Sequence, residues 1–380
     1  MPIVTTITRI VGVVPTLLWV AIVALAALVL GLAVRTRLAA LRAGRLERQR
    51  RELLADVGLL QAALLPAPPG RLGPVGTSVA YRPADGPGAG GDFYDVFGLG
   101  NGSLGVIVGD VSGHGRSALP HTALVRYTLR AYLEAWLSPR EAVQTAGSVL
   151  DRQLGGSFVT VVAAVYHPRE RTLTYASAGH PPPIVLGAEC LQPVTAAAAP
   201  PLGTGMRTGT RQTVVSVPGG AQLCFYTDGV TEARVGGGEL YGSDRLTAAL
   251  GGLGARATAV ALLDRVAAET RLRPDDMAAC LLSVAGEACA PRALVEEIEL
   301  DRETAAGERT ERFLFACGVL PEEVASLTRA AAALTQRSGS VLLDVRFDAG
   351  ATPQVALRHD NLAPLHRRPS VARPARAGVS

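Results

Sequence analysis

The sequence predicts an α+β protein in which two antiparallel β-sheets pack as a sandwich flanked by helices. Seven short β-branched or apolar runs, at 77–82, 104–110, 158–167, 172–178, 212–217, 222–227 and 278–284, are bounded by Gly, Pro, Asp or Asn and read as strands. Longer helical patterns occupy 116–137, 139–154, 243–253 and 258–272. Strict alternation of strand and helix would favour a parallel, doubly wound sheet; this mixed order favours antiparallel sheets covered by helices. The 380 residues leave room for one large domain or two ordinary ones with appendages, and 48 % hydrophobic residues with only 4 % aromatics suit a core of Ala, Val and Leu.

The sandwich is preceded by a membrane segment. Residues 10–34 carry no charge, and about 20 apolar residues suffice to cross the hydrocarbon core as a helix. A cleaved signal peptide would have a shorter apolar stretch ending in small residues, whereas this one runs directly into Arg35 and Arg37. Arg35, Arg37, Arg42, Arg45, Arg48, Arg50 and Arg51 outnumber Glu47 and Glu52. The positive-inside rule then places the bulk of the chain in the cytoplasm, as a single-pass protein of the cell membrane.

From 36 to 65, Leu38, Leu41, Leu46, Leu53, Val57, Leu60 and Leu64 recur at helical spacing. This linker helix either pairs with a second copy as a homodimer or lies solvated with its arginines against anionic head groups. Pro66, Pro68 and Pro69 end it. The net charge of +4 is carried by arginine, with no lysine in the sequence, and much of it is concentrated near the membrane segment, so nucleic acid is not an expected partner. Cys190, Cys224, Cys280, Cys289 and Cys317 are scattered, without a CxxC pair or a histidine at ligand spacing, and read as buried thiols in a reducing compartment.

Four strings place aspartates at the edges of apolar runs: GGDFYD at 90–95, GDVSGHG at 109–115, TDG at 227–229 and DDM at 275–277. Mg²⁺ and Mn²⁺ prefer oxygen ligands, and a pair of such ions about 3.5–4 Å apart binds phosphate and activates water. A pair needs one carboxylate lying between the ions. Asp110, which follows LGVIVG and precedes a glycine-laced turn, is the best bridging candidate, with Asp92, Asp228 and Asp275 flanking it. For any single aspartate near glycine, a turn or helix cap is the plainer reading; four together favour a metal centre.

GGDFYD, GDVSGHG, YASAGHPPPIVL, PPLG at 200–203, FYTDGVTEA and DDM, in that order, resemble the bacterial SpoIIE/RsbU branch of the PPM-type (protein phosphatase 2C-like) metal-dependent serine/threonine phosphatases. The likeness spans about residues 60–286. It implies that Asp110 bridges two Mn²⁺ or Mg²⁺ ions with help from the Val111 carbonyl, that Asp228 and Asp275 hold one ion, and that Asp92 supports the other directly or through water. Asp110 and Asp228 would thereby be the catalytic residues. Asp95 is a possible helper. In that family a metal-activated water attacks phosphoserine or phosphothreonine in line, without a phosphoenzyme.

Two departures stand out: Ala278 occupies a position where serine or threonine is common, and PADGPGA before Gly90 makes a glycine-rich loop that is expected to be mobile. His114 is a candidate general acid only if geometry places it at the site. His180, before a proline run, reads as a loop stiffener. GGDFYD also resembles the GGDEF loop of diguanylate cyclases, which lack the TDG and DDM corners.

Beyond 286 the texture changes, with helical patterns at 302–314 and 321–336 and strands at 341–347 and 354–358. The stretch resembles the start of a GHKL ATPase domain, with Ala332 and Gln336 where that family places a Glu and a Mg²⁺-binding Asn, so a degenerate module without ATP binding is expected. A small helical docking unit is the alternative.

The expected organisation is therefore a transmembrane anchor at 1–34, a juxtamembrane linker helix at 35–66, a phosphatase domain at 67–286, a small α/β C-terminal module at 287–360 and a disordered tail at 361–380. The expected function is dephosphorylation of a regulatory protein, by resemblance a phosphorylated STAS-domain anti-anti-sigma factor. The alternative is a non-catalytic membrane-bound scaffold with a degenerate phosphatase fold.

Overall fold

The computed structural model describes residues 19–25, 27–45, 47–48, 65–84, 91–113, 118–187, 191, 199–254, 257–272, 275–286, 293–348 and 352–359. The expectations for the loop at 85–90, for His114, for Cys190 and Cys289, for the linker beyond residue 48 and for the tail at 361–380 lie outside the described residues. The chain divides into two compact units, Met1–Leu60 and Gln61–Ser380.

In the first unit a single helix, α1 (Trp19–Arg45), has a most apolar window of mean hydropathy 2.2 and is long and apolar enough to cross a membrane. It continues without a break from the apolar segment into the arginine-bearing one.

The second unit holds two main sheets. One has five strands in the order β1-β2-β12-β9-β7, from β1 (Arg71–Leu72), β2 (Val75–Arg82), β7 (Ile184–Leu186), β9 (Gln222–Tyr226) and β12 (Met277–Val284). The other has eight in the order β15-β14-β13-β8-β6-β5-β4-β3. Its members are β3 (Phe93–Gly98), β4 (Leu104–Val111), β5 (Val159–His167), β6 (Thr172–Ala178), β8 (Arg211–Ser216), β13 (Ala293–Asp301), β14 (Ser340–Asp348) and β15 (Gln354–His359). Among the described residues every ladder between named strands of the two sheets is antiparallel. A small ribbon joins β10 (Arg234–Val235) to β11 (Thr270–Leu272), so the 258–272 helical pattern ends early, α6 (Ala259–Glu269) giving way to a strand.

Alternation along the strands sorts the core into layers. Val106, Val108, Val162, Ala164, Phe225, Cys280 and Leu282 face inward between the sheets. Ile107, Val111, Val161 and Ala163 face outward on the eight-stranded sheet, where α2 (Leu119–Glu134) and α3 (Pro139–Leu150) cover them with Val125, Leu129, Val143 and Ala146. Cys224, Ala279 and Leu281 face outward on the other sheet, covered by α5 (Gly242–Leu253) and α6 through Leu246, Leu250, Leu262 and Val266. The result is a four-layer helix–sheet–sheet–helix sandwich. Gly105 and Gly109 of β4 make room for aromatic rings from β3, because a Cβ at either would lie within 2.7 Å of Phe97 or Phe93 ring carbons. Cys224, Cys280 and Cys317 are free and buried.

The C-terminal strands are not a separate layer. β13 pairs with β8 on one side and β14 on the other, so the C-terminal strands widen the eight-stranded sheet, with α7 (Glu308–Ala316) and α8 (Pro321–Ser338) covering the extension. The join is ionic as well as hydrogen-bonded. Arg140 of α3, buried, donates to Glu297 at 3.1 Å and Glu299 at 2.7 Å, while Arg207 pairs with Glu299 and Asp301. Arg358 adds a contact to Glu297 at 3.2 Å and a further one to Asp344.

Candidate metal centre

Strand parity decides which acids meet. Phe93 of β3 stands opposite Gly109 of β4, which makes Asp92 and Asp110 cross-strand neighbours at the end of that ladder. Both share the parity of Tyr94, Val106 and Val108, which face the space between the sheets. Asp95 falls on the opposite face with Phe93 and Phe97. There Arg126 donates to its Oδ2 at 3.0 Å and Arg130 at 3.3 Å, so Asp95 ties β3 to α2 rather than facing the other acids.

The second sheet supplies the other half. β9 and β12 run side by side with Tyr226 opposite Ala279, and just beyond, the Thr227 amide donates to the Ala278 carbonyl at 3.1 Å. Asp228 then opens the short helix α4 (Asp228–Glu232). Only glycine fits the next position, since a Cβ on Gly229 would lie 1.8 Å from the Asp276 carbonyl oxygen. A similar close approach fixes Gly91: a Cβ there would stand 2.1 Å from the Val111 carbonyl oxygen and 2.4 Å from Asp110 Oδ1. The Val111 carbonyl and the Asp110 carboxylate thus converge on the backbone that presents Asp92.

One carboxylate oxygen from each of Asp92, Asp110 and Asp228 lies within 4.8 Å of the others. Asp275, the fourth expected ligand, is exposed and outside this group, with its Oδ1 accepting the Asp276 amide at 2.8 Å. Its charge still reaches the site. Burial, then repulsion from Asp228, Asp275 and Asp276, pushes the Asp110 carboxyl up to about 8. Burial and the neighbouring Asp110 raise Asp92 well above the carboxylate range, against a lowering contribution from its hydrogen bond with Thr227. Burial, followed by Glu232 and Asp275, raises Asp228. Among the described residues no arginine pairs with these three carboxylates. Clustered acids facing one another without a counter-cation fit a divalent ion with an all-oxygen ligand set.

Two supporting residues, Thr227 and Asp276, carry no role in the sequence reading. Thr227 is fully buried; its hydroxyl donates to Asp92 Oδ2 at 2.6 Å and accepts from the Ala278 amide at 2.9 Å. Asp276, buried, accepts from the Tyr81 hydroxyl at 2.6 Å and the Ala84 amide at 2.7 Å, which holds β2 to the DDM corner. Both lie inside the quoted strings, but only tertiary geometry shows what they bind. His180 braces the two sheets: its Nε2 donates to the Tyr226 carbonyl at 3.1 Å, leaving Nδ1 to accept from the Thr160 hydroxyl at 3.0 Å. Burial lowers its pKa to about 4, which keeps the ring neutral in that role.

Residues 100–285 match the family model described as "Stage II sporulation protein E (SpoIIE)". The chain is 26 % identical over 184 residues to Protein IcfG of Synechocystis sp., a match covering 41 % of this chain and 29 % of that protein. The SiaA-PP2C domain of Pseudomonas aeruginosa superposes with a TM-score of 0.54 at 21 % identity, covering 63 % of this chain and 99 % of that domain. The RsbU and RsbW domains of Rv1364c from Mycobacterium tuberculosis give a TM-score of 0.45 at 22 % identity, over 71 % of this chain and 79 % of that structure. Over residues 100–285, just under half of the chain, the sequence is thus similar to the SpoIIE family, and the fold is shared with the SiaA-PP2C domain.

Proposed function

We propose that the protein is a metal-dependent serine/threonine phosphatase acting on a phosphorylated regulatory protein, with a STAS-domain anti-anti-sigma-type protein as substrate. The observation that carries this reading is the meeting of Asp92, Asp110 and Asp228 between the two sheets, with no arginine paired to them among the described residues. Asp92, Asp110 and Asp228 would hold the ions, together with the Val111 carbonyl next to Asp110 and with Asp275 from the neighbouring corner. Two Mg²⁺ or Mn²⁺ ions bound there would supply Lewis-acid activation of water and neutralise phosphate charge. The chain's own residues hold that ligand set rigid, through the Thr227 bond to Asp92, the Asp276 bonds to β2 and the His180 brace.

The helix α1 anchors the chain in the cell membrane with the phosphatase domain in the cytoplasm, a side consistent with the arginines that follow the apolar segment. Residues 67–286 form the phosphatase domain and residues 287–360 its C-terminal module, joined edge to edge through β8 and β13.

The test is phosphate release by the full chain in detergent, given Mn²⁺ and a phosphoserine STAS-domain protein. Asp110→Asn and Asp228→Asn are expected to reduce turnover at least about 100-fold. Wild-type turnover by either variant overturns the reading.

A further inference from the structure

Thr227, just past the end of β9, bonds through its side chain to Asp92, just before β3, and so links the two sheets at the acidic cluster. Its hydroxyl has one proton and two near partners. The Ala278 amide at 2.9 Å is a donor and occupies a lone pair, so the hydroxyl proton is free to point elsewhere. Asp92 Oδ2 lies at 2.6 Å, against 3.5 Å for the Ala278 carbonyl, and a bond to a carboxylate is the stronger of the two. The direction of donation is therefore fixed: β12 orients the hydroxyl, and the hydroxyl orients Asp92. Branching at Cβ restricts the Thr227 side chain to few rotamers, and full burial denies Asp92 Oδ2 a substitute donor from bulk water. Ala278 has no hydroxyl of its own; its backbone amide takes part instead.

We propose that Thr227 is a positioning residue that fixes the rotation of the Asp92 carboxylate toward Asp110 and Asp228, so that metal affinity at the cluster depends on a hydroxyl that touches no metal. The proposal rests on the metal-centre reading above. It assigns Thr227 a part distinct from that of its neighbour Asp228, although both lie in the TDG string.

The experiment measures Mn²⁺ binding to the full chain in detergent by calorimetry, alongside thermal unfolding without metal. Thr227→Val keeps the shape and removes the hydroxyl; an affinity loss of about 10- to 100-fold is expected, the range typical of lost partners to metal ligands. Thr227→Ser keeps the donor and is expected to restore affinity to near the wild-type value. Should the valine variant fold poorly, Thr227→Ala carries the same expectation. The decisive control is the background Asp92→Asn: once the carboxylate is gone, adding Thr227→Val is expected to produce no further loss, whereas a general structural role would weaken binding equally in both backgrounds. Equal Mn²⁺ affinity of wild type and Thr227→Val, or an undiminished effect in the Asp92→Asn background, overturns the proposal while leaving the metal centre standing. Failure of the wild-type chain to bind Mn²⁺ overturns both.

Discussion

Replacing Gly91 with alanine tests how tightly the backbone closes over the acidic cluster. A Cβ at this position would lie 2.1 Å from the Val111 carbonyl oxygen, 2.4 Å from Asp110 Oδ1 and 3.0 Å from the Val111 carbonyl carbon. Two of those neighbours are backbone atoms of β4, which is locked by β3 and β5 on either side, so the strain falls on the segment that presents Asp92. Restoring ordinary contact requires that segment to retreat by about 1 Å, the scale of displacement at which catalysis can fall about 100-fold. The bond from the Val111 amide to the Gly91 carbonyl, already 3.2 Å long, would open with it. Overpacking of this kind costs about 1–3 kcal/mol in stability. The assay is Mn²⁺ affinity and phosphate release by Gly91→Ala, compared with Gly76→Ala on β2, where a Cβ meets only Ser283 atoms at 3.7 Å or more. Gly76→Ala is expected to behave as wild type. Wild-type metal binding and turnover by Gly91→Ala would refute the argument that Gly91, Val111 and Asp110 are packed to the limit.

Three further outcomes follow from groups away from the cluster. Arg140→Met removes the buried cation shared by Glu297 and Glu299, which keep the more exposed Arg358 and Arg207, and is expected to lower stability by about 1–3 kcal/mol, measured by urea unfolding of wild type and variant. Asp95→Asn removes the carboxylate charge that Arg126 and Arg130 bind and is expected to destabilise by a similar amount, about 1–3 kcal/mol, while folded molecules keep wild-type Mn²⁺ affinity, because Asp95 faces α2. His180 has a folded pKa of about 4, below its ordinary value, so the unfolded chain takes up a proton that the folded chain refuses. Stability contributed by the neutral ring is whole above about pH 6.5 and is lost as pH falls from there to about 4, with a ceiling of about 3 kcal/mol. Unfolding measured across that window should show about one proton less pH dependence in His180→Leu than in wild type; identical slopes would contradict the brace.

Much of the sandwich was legible because its strands are uniform. LGVIVG and QLCFY have alternating or continuous apolar character, and the aspartates that follow them are placed by the strand ends alone. Two strands with acids inside them were hidden, whereas VLLDVRF, with Asp344 and Arg346, was still read as a strand. β3 carries Asp95 in FYDVFG, and only the arginines of α2, more than thirty residues away, make that acid tolerable in the core. β13 reads ALVEEIELD, whose four acids look like a solvated loop until Arg140, Arg207 and Arg358 arrive from elsewhere. Missing β13 concealed the continuity of the C-terminal strands with the eight-stranded sheet. Missing β3 left Asp95 an open helper, although period-two alternation from Asp92 puts it on the other face. Asp275 and Asp276 are adjacent and chemically alike; the sequence could not show that the first would be exposed and the second buried under Tyr81.

Crystals of the full chain soaked in manganese and measured at its absorption edge put the metal centre to its most direct test. Anomalous peaks are expected among the carboxylates of Asp92, Asp110 and Asp228, and their loss is expected in Asp110→Asn. Fully soaked crystals with no peak at that cluster, or with manganese bound only elsewhere, would contradict the account.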